Sequence, residues 1–265
     1  MNIGIIGYGS MGKMLADKFS SFHRVYVATR SKEKLASAPY SINAADANID
    51  VAKVSDIVFI CVRPVDIKDV ICEIEPHVKA DALLVSLNGS VTFELMEKLT
   101  SHKMAKVIPS VTAEIDRSQT LVAYNSSVTD KDKRLLSDVL SLVGNVIELP
   151  ESEMGMGSEL VSCMPGFIAS IFDVLCSSAK KHTSIPDDQI VKMVLNTMSA
   201  TGDLMLQKDM TFEDVVTRVA TKGGITQEGT KVVYEGFPAV ADKLYENTLE
   251  KRRSTALNAQ KAFNR

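Results

Sequence analysis

The stretch MNIGIIGYGSMG, residues 1–12, decides the fold. Asn2–Gly7 is an apolar, β-branched run that reads as a buried strand. Gly7-Tyr8-Gly9-Ser10-Met11-Gly12 continues it as GxGxxG, and Ser10–Ser21 then carries Met11, Met14, Leu15 and Phe19 at helical spacing. Each glycine has a chemical reason. Gly7 permits a tight strand-to-helix turn, Gly9 lets the backbone approach a pyrophosphate with no Cβ in the way, and Gly12 lets the helix pack closely on the sheet. The helix start offers free N–H groups to phosphates, so Tyr8, Ser10 and Met11 join the glycines as candidate cofactor-binding residues. The motif alone matches many loops; between a strand and an amphipathic helix it points to dinucleotide binding. The alternative is a fold of this type that has lost its cofactor.

The next strand-like run, Arg24–Arg30, ends Ala28-Thr29-Arg30-Ser31-Lys32, with no acid before Glu33. An Asp or Glu at this place holds the ribose 2′-hydroxyl of NAD. An arginine flanked by hydroxyls and a lysine suits a 2′-phosphate instead, so Thr29, Arg30 and Ser31 point to NADPH. The plain alternative is that Arg30 and Lys32 are solvated loop charges. Two later loops close apolar runs: Cys61-Val62-Arg63-Pro64 after Ile57–Val62, and Ser86-Leu87-Asn88-Gly89 after Ala82–Leu87. Ligands of open α/β sheets bind beyond the carboxyl ends of strands. Val62, Arg63, Pro64, Asn88 and Gly89 are therefore candidates for the nicotinamide half. Their bland reading is ordinary turn chemistry.

Further runs at Lys103–Ile108, Thr120–Tyr124 and Val146–Leu149 alternate with helical stretches at Asp66–Ile74, Thr92–Leu99 and 130–143. This alternation predicts a parallel sheet with helices on both faces. After residue 151 the strand signal stops. Leu160, Met164, Phe167, Ile171 and Leu175 keep a helical spacing, with Pro165 expected to kink the helix or mark its start. Pro186 opens a second helix, Thr211 caps a third, and two more are expected near Gln227–Tyr234 and Phe237–Phe263. The expectation is a dinucleotide-binding domain over 1–150 and a helical domain over 151–265. Helices apolar on several faces suggest burial against a partner subunit.

Composition bounds the function. The 265 residues are 45% hydrophobic and 24% charged with net charge −3, so the basic excess of a nucleic-acid binder is missing. The four cysteines, Cys61, Cys72, Cys163 and Cys176, show no CxxC spacing, which suits a reducing cytoplasm better than a disulfide framework. The histidines are isolated, so no metal site is expected. The apolar stretches look shorter than the roughly 18 residues of a membrane span, so no membrane partner is expected either. The N-terminus reads as a strand rather than a signal peptide. Lys251-Arg252-Arg253 reads as a solvated face.

Taken together the chain resembles the pyrroline-5-carboxylate reductases over nearly its whole length. The matching segments are Gly7–Gly12, Thr29-Arg30-Ser31, Arg63-Pro64, Ile108-Pro109-Ser110 and Lys222-Gly223-Gly224-Ile225-Thr226. The resemblance implies a Rossmann-type sheet domain with a C-terminal all-helical dimerisation domain, hence a homodimer or larger homo-oligomer. It implies NADPH-dependent reduction of a cyclic imine acid, pyrroline-5-carboxylate, to proline. Gly223, Gly224, Ile225 and Thr226 would hold the substrate carboxylate, and Thr226 would be the catalytic hydrogen-bonding group. Departures stand at Val161-Ser162-Cys163-Met164-Pro165-Gly166, where the family has Ser-Gly-Ser-Gly-Pro-Ala, and at Lys106, Ser110, Lys222 and Ile225. Two other readings follow from them. One is a non-catalytic dinucleotide-binding paralogue with a regulatory role. The other is a hydroxyacid-type oxidoreductase, for which Lys180 and Lys181 lie too far along the long helix.

Overall fold

All but the first residue of β1 (Asn2–Ile6) are buried, as a strand covered on both faces requires. In the computed structural model, which describes residues 1–263, the strands that follow are β2 (Arg24–Ala28), β3 (Ile42–Ala44), β4 (Ile57–Ile60), β5 (Leu83–Ser86), β6 (Lys103–Ile108), β7 (Ser118–Tyr124) and β8 (Gly144–Glu148). They form one sheet in the order β3-β2-β1-β4-β5-β6-β7-β8. Pairing is parallel except between β6 and β7, where Ala105 faces Tyr124 and Ile108 faces Leu121 in antiparallel register. The parallel sheet expected from the alternation holds at every pair but this one. The link from β6 to β7 is only a short 3₁₀ turn at Val111–Ile115, too short for a parallel crossover.

The helices of this region are α1 (Ser10–Phe19), α2 (Asn48–Val54), α3 (Ile67–Ile74), α4 (Phe93–Glu97) and α5 (Asp130–Leu140). They divide the core in two. On one face Leu15 and Phe19 of α1 pack on Ile3, Ile5 and Phe59, with the Phe19 and Phe59 rings 5.4 Å apart. On the other, Ile67, Ile71 and Ile74 of α3 pack on Ile6, Val58 and Ile60. β3 and α2 are not expected from the sequence. Each is short, β3 buries only Ile42, and α2 buries only Val51 and Ala52, so neither prints a period.

Beyond β8 the chain is helical: α6 (Met154–Ser158), one turn of π-helix at Glu159–Cys163, α7 (Met164–Ala179), α8 (Asp187–Lys208), α9 (Phe212–Val219) and α10 (Ile225–Phe263). Pro165 has no N–H for the preceding turn, and the π turn directly before α7 is where the ladder loosens. Thr211 caps α9 in a capping box with Asp214. The two helices expected around Pro238 are one, α10, which runs through that proline. One missing donor does not end a helix whose ladder continues on both sides. Two compact units result: Met1–Pro165 with the chain from Thr248 onward, and Gly166–Asn247. Residues 151–165 and the end of α10, expected among the helices, go with the sheet because Met154 and Ala259 are buried in its second apolar cluster. A further correction concerns hydropathy. The continuous helical run Glu151–His182 spans 32 residues and reaches a mean hydropathy of 1.7, long and apolar enough by composition to cross a membrane.

Candidate functional site

The strand order reverses between β1 and β4, and the crevice beyond their carboxyl ends is where an open α/β sheet takes a ligand. A cleft of about 420 Å³ lies there. Of the residues singled out by sequence, Gly7, Tyr8, Gly9, Thr29, Arg30, Ser31, Val62 and Arg63 line it. Ser10, Met11 and Gly12 open α1 and are not among the residues that line the cleft. Pro64 starts the short 3₁₀ turn Pro64–Asp66.

Two of the glycines are required by the backbone around them. Gly7 has φ +101°, and a Cβ there would stand 2.5 Å from the Cys61 carbonyl oxygen. Its N–H donates to Ala28 O at 2.8 Å. A Cβ on Gly12 would meet Gly7 O at 2.0 Å, so only glycine lets α1 come this close. Gly9 differs from both: a Cβ there would have nothing within 4 Å. No packing demands this glycine. Open backbone at the start of a helix is a surface that fits a pyrophosphate. Tyr8 Oη donates to Asp17 at 3.3 Å. The Cys61 thiol is pushed up to about 12 by burial, which makes it an inert wall.

At the far end of the cleft Arg30 Nη2 donates to Asp66 Oδ2 at 3.3 Å. Arg63 donates to the same carboxylate from Nε at 2.9 Å and from Nη2 at 3.3 Å. The hydrogen bond from Arg63, aided by both guanidinium charges, holds the Asp66 carboxyl below its usual range despite partial burial. Thr29 Oγ1 accepts from Ser31 N–H at 3.3 Å and shapes the loop. Lys32, grouped with Arg30 by sequence, instead donates to the Ala45 and Asp46 carbonyls. Lys34 lines the cleft. Asp66 was not found by sequence. In the sequence it stands at the start of the helical stretch Asp66–Ile74, where an acid reads as a helix opener.

Asn88 and Gly89, after β5, lie outside the cleft lining. Asn88 Oδ1 accepts from Ser90 N–H at 2.8 Å. Beneath this turn Lys106 is buried. It donates to Glu151 Oε1 at 2.9 Å and to Gly89 O at 3.4 Å. Burial pushes the Lys106 amine below its usual value, and Glu151 only partly restores it. Arg252, read as solvated, instead donates from Nε and Nη2 to Glu159 Oε1 at 3.1 and 2.7 Å. Glu159 Oε2 is buried without a hydrogen-bond partner. Ser110 is also buried, and its N–H donates to Ser118 Oγ at 3.0 Å. In the second unit, Gly223 has φ +73° and its N–H donates to Gln227 Oε1 at 2.7 Å. Gly224 N–H donates to Thr221 O at 2.8 Å. Ile225 and Thr226 are exposed in the first turn of α10. Among the described residues, no group of three or more His, Cys, Asp or Glu is placed to hold a metal ion.

The chain is similar to known proteins along nearly its whole length. Residues 2–90 match the family of NADP oxidoreductases described as coenzyme F420-dependent. Residues 151–255 match the pyrroline-5-carboxylate reductase dimerisation family. Pyrroline-5-carboxylate reductase 3 of Bacillus subtilis is 33% identical over 257 residues, covering 94% of each chain. The chain belongs to the pyrroline-5-carboxylate reductase family. ComE operon protein 4 of the same organism is 25% identical and covers 99% of both chains, so this family also includes a relative named for an operon and not for a reaction. A Plasmodium falciparum pyrroline carboxylate reductase, solved with NADP bound, is 20% identical and superposes with a TM-score of 0.86 over 97% of this chain and 98% of its own. At that identity the likeness is one of fold.

Proposed function

We propose that the protein reduces the C=N bond of a cyclic imine acid, pyrroline-5-carboxylate, to give proline, with NADPH as the hydride donor. The observation that carries this reading is the cleft itself: Gly9 stands open at a helix start while Arg30 and Arg63 converge on its other end. NADPH, when bound, supplies the hydride. The residues supply position. Backbone N–H groups at the start of α1 receive the pyrophosphate, and the two guanidiniums receive the 2′-phosphate as charge-assisted donors. The turn Gly223–Thr226 opens α10, and N–H groups at a helix start suit the substrate carboxylate. Thr226 Oγ1 is the group for the imine nitrogen or carboxylate. An imine nitrogen is readily protonated, so orientation matters more than a dedicated acid. Burial of the exposed apolar side chains Val174, Leu175, Leu195 and Val232 against a second copy completes the assembly as a homodimer or larger homo-oligomer.

The test is loss of NADPH absorbance with racemic pyrroline-5-carboxylate. Saturable oxidation is expected. A second reading, a non-catalytic dinucleotide-binding paralogue, is favoured by Ile225, an exposed apolar side chain where the family's substrate loop has a threonine. NADPH binding without turnover would select it. The hydroxyacid reading has little support, because Lys180 is engaged with Asp187 at 2.8 Å.

A further inference from the structure

We propose that Lys106 is a positioning residue for the nicotinamide end of the cofactor: its buried ammonium clamps the turn Asn88–Gly89, and that turn seats the reacting ring. This rests on the reading of the chain as an NADPH-dependent reductase. The turn follows β5, and β5 lies next to β4 in the sheet. On that reading the 2′-phosphate meets Arg30 after β2 and the pyrophosphate meets the start of α1 after β1. The strand order β2-β1-β4-β5 then carries the other end of the dinucleotide past β4 toward this turn, outside the cleft around Gly9 and Arg30.

Lys106 lies on β6, paired with Ser86 of β5, and its side chain is 2% exposed. Taking an ammonium out of water is costly, and a methionine would fill the same length without that cost. What a methionine lacks is donors, of which an ammonium has three. One goes to Glu151 Oε1 at 2.9 Å and one, in the longer bond, to Gly89 O at 3.4 Å. The face of the Phe93 ring lies beside the same nitrogen, 5.7 Å from Nζ to the ring centre. Glu151 Oε1 also accepts from Phe93 N–H at 2.8 Å. One ammonium and one carboxylate thus tie the turn to the start of α4 and to the segment before α6. Bonds within the turn set its shape: Asn88 N–H donates to Ser86 Oγ at 3.2 Å, and Ser90 N–H to Asn88 Oδ1 at 2.8 Å. Lys106 comes from another strand and sets where the turn stands. A Cβ on Gly89 would lie 3.1 Å from Ile108 Cδ1, so the turn rests closely on the end of β6.

The experiment compares wild type, Lys106→Met and Lys106→Arg. NADPH is titrated by its own fluorescence, whose source is the dihydronicotinamide ring. Emission and anisotropy of the saturated complex therefore report on that ring, whereas the Kd is set largely by the phosphate groups at the other end. Lys106→Met is expected to bind NADPH within about threefold of wild type, with emission and anisotropy falling toward those of free NADPH. With pyrroline-5-carboxylate its kcat is expected to fall by up to about a hundredfold, the cost of misplacing a reacting group by about 1 Å, at unchanged KM for NADPH. Lys106→Arg keeps charge and donors and is expected to restore part of both. A merely structural role would lower the melting midpoint and leave the bound emission and kcat of the folded fraction as in wild type; that result overturns the proposal. Should Lys106→Met fail to fold, Lys106→Met combined with Glu151→Gln strands no charge and gives the same comparison. Wild type that binds NADPH without turnover overturns the reductase reading, and the emission comparison still decides whether Lys106 seats the ring. Wild type that does not bind NADPH overturns both.

Discussion

Replacing Gly9 by alanine separates binding from folding more cleanly than any other change in the cleft. Gly9 precedes α1 with φ −79° and ψ −171°, ordinary extended backbone that alanine adopts freely. A Cβ there has nothing within 4 Å. Alanine at a helix N-cap costs up to about 1 kcal/mol relative to better caps. The stiffer unfolded chain returns about 0.4–1 kcal/mol. The two nearly cancel, so the melting midpoint should move by less than about 4 °C. On the proposed placement of the cofactor, the same methyl group would stand where the pyrophosphate approaches. Losing one charge-assisted hydrogen bond from the helix start costs about 1.5–3 kcal/mol, so the Kd for NADPH should rise at least about tenfold. The assay pairs a thermal melt with a fluorescence titration of NADPH. A well-folded Gly9→Ala that binds NADPH within about threefold of wild type would refute the placement of the pyrophosphate. Gly12→Ala is the contrast: its Cβ lands 2.0 Å from Gly7 O, and backbone has no rotamer to escape to. It should lose stability at the upper end of about 1–3 kcal/mol.

Three further predictions follow from buried charge and exposed apolar surface. Burial pushes the Asp132 carboxyl up, but hydrogen bonds from the Thr129 hydroxyl and N–H, with Lys103, overcome this and hold it below its usual value. A depressed folded value means stability that is present above about pH 4 and lost as the pH falls through the folded value. Asp132→Asn should cost about 1–2 kcal/mol at neutral pH and remove part of the acid-side fall in urea midpoints; an unaltered acid slope would refute this. Arg252→Ala strands Glu159, whose side chain is 2% exposed, and should cost about 3–5 kcal/mol by urea unfolding. Adding Glu159→Gln should recover part of the loss. Val174→Glu places a charge on an apolar helix face where Val174 is 68% exposed; light scattering should show a smaller assembly, and an unchanged mass would move the interface elsewhere.

Local rules made much of the fold legible. The GxGxxG stretch fixed β1 and α1 because turn, close approach and helix packing each act within a few residues. β4 and β5 were visible as continuous apolar runs, since burial on both faces leaves no alternation. β3 and α2 were not, because a three-residue edge strand and a seven-residue helix bury too little to leave a pattern. The antiparallel turn from β6 to β7 was missed for another reason: strand direction depends on connection length, and the intervening segment held no clear helix either way. Pro238 misled, since a proline breaks a helix only where the lost bond is not outweighed by the ladder around it.

The site divides along the same line. Glycine chemistry is backbone chemistry, so its residues were readable in order along the chain. Charge partners are not: Arg30 and Asp66 lie 36 residues apart, and Arg252 and Glu159 lie 93 apart. A carboxylate seen alone in sequence carries no mark of what faces it. Asp66 read as the first residue of a helix and Arg252 as a solvated one, yet each pairs with a charge far away in the chain. The departures at Ser162 and Met164 need the same caution in reverse. They sit in and just after a π turn, where side chains do not keep the facing that α-helical spacing assigns. Matching them position by position to the family's small residues therefore does not say which side chain meets the substrate. The size of Met164 alone is no argument for lost activity, and turnover with pyrroline-5-carboxylate is the measurement that decides between the two readings.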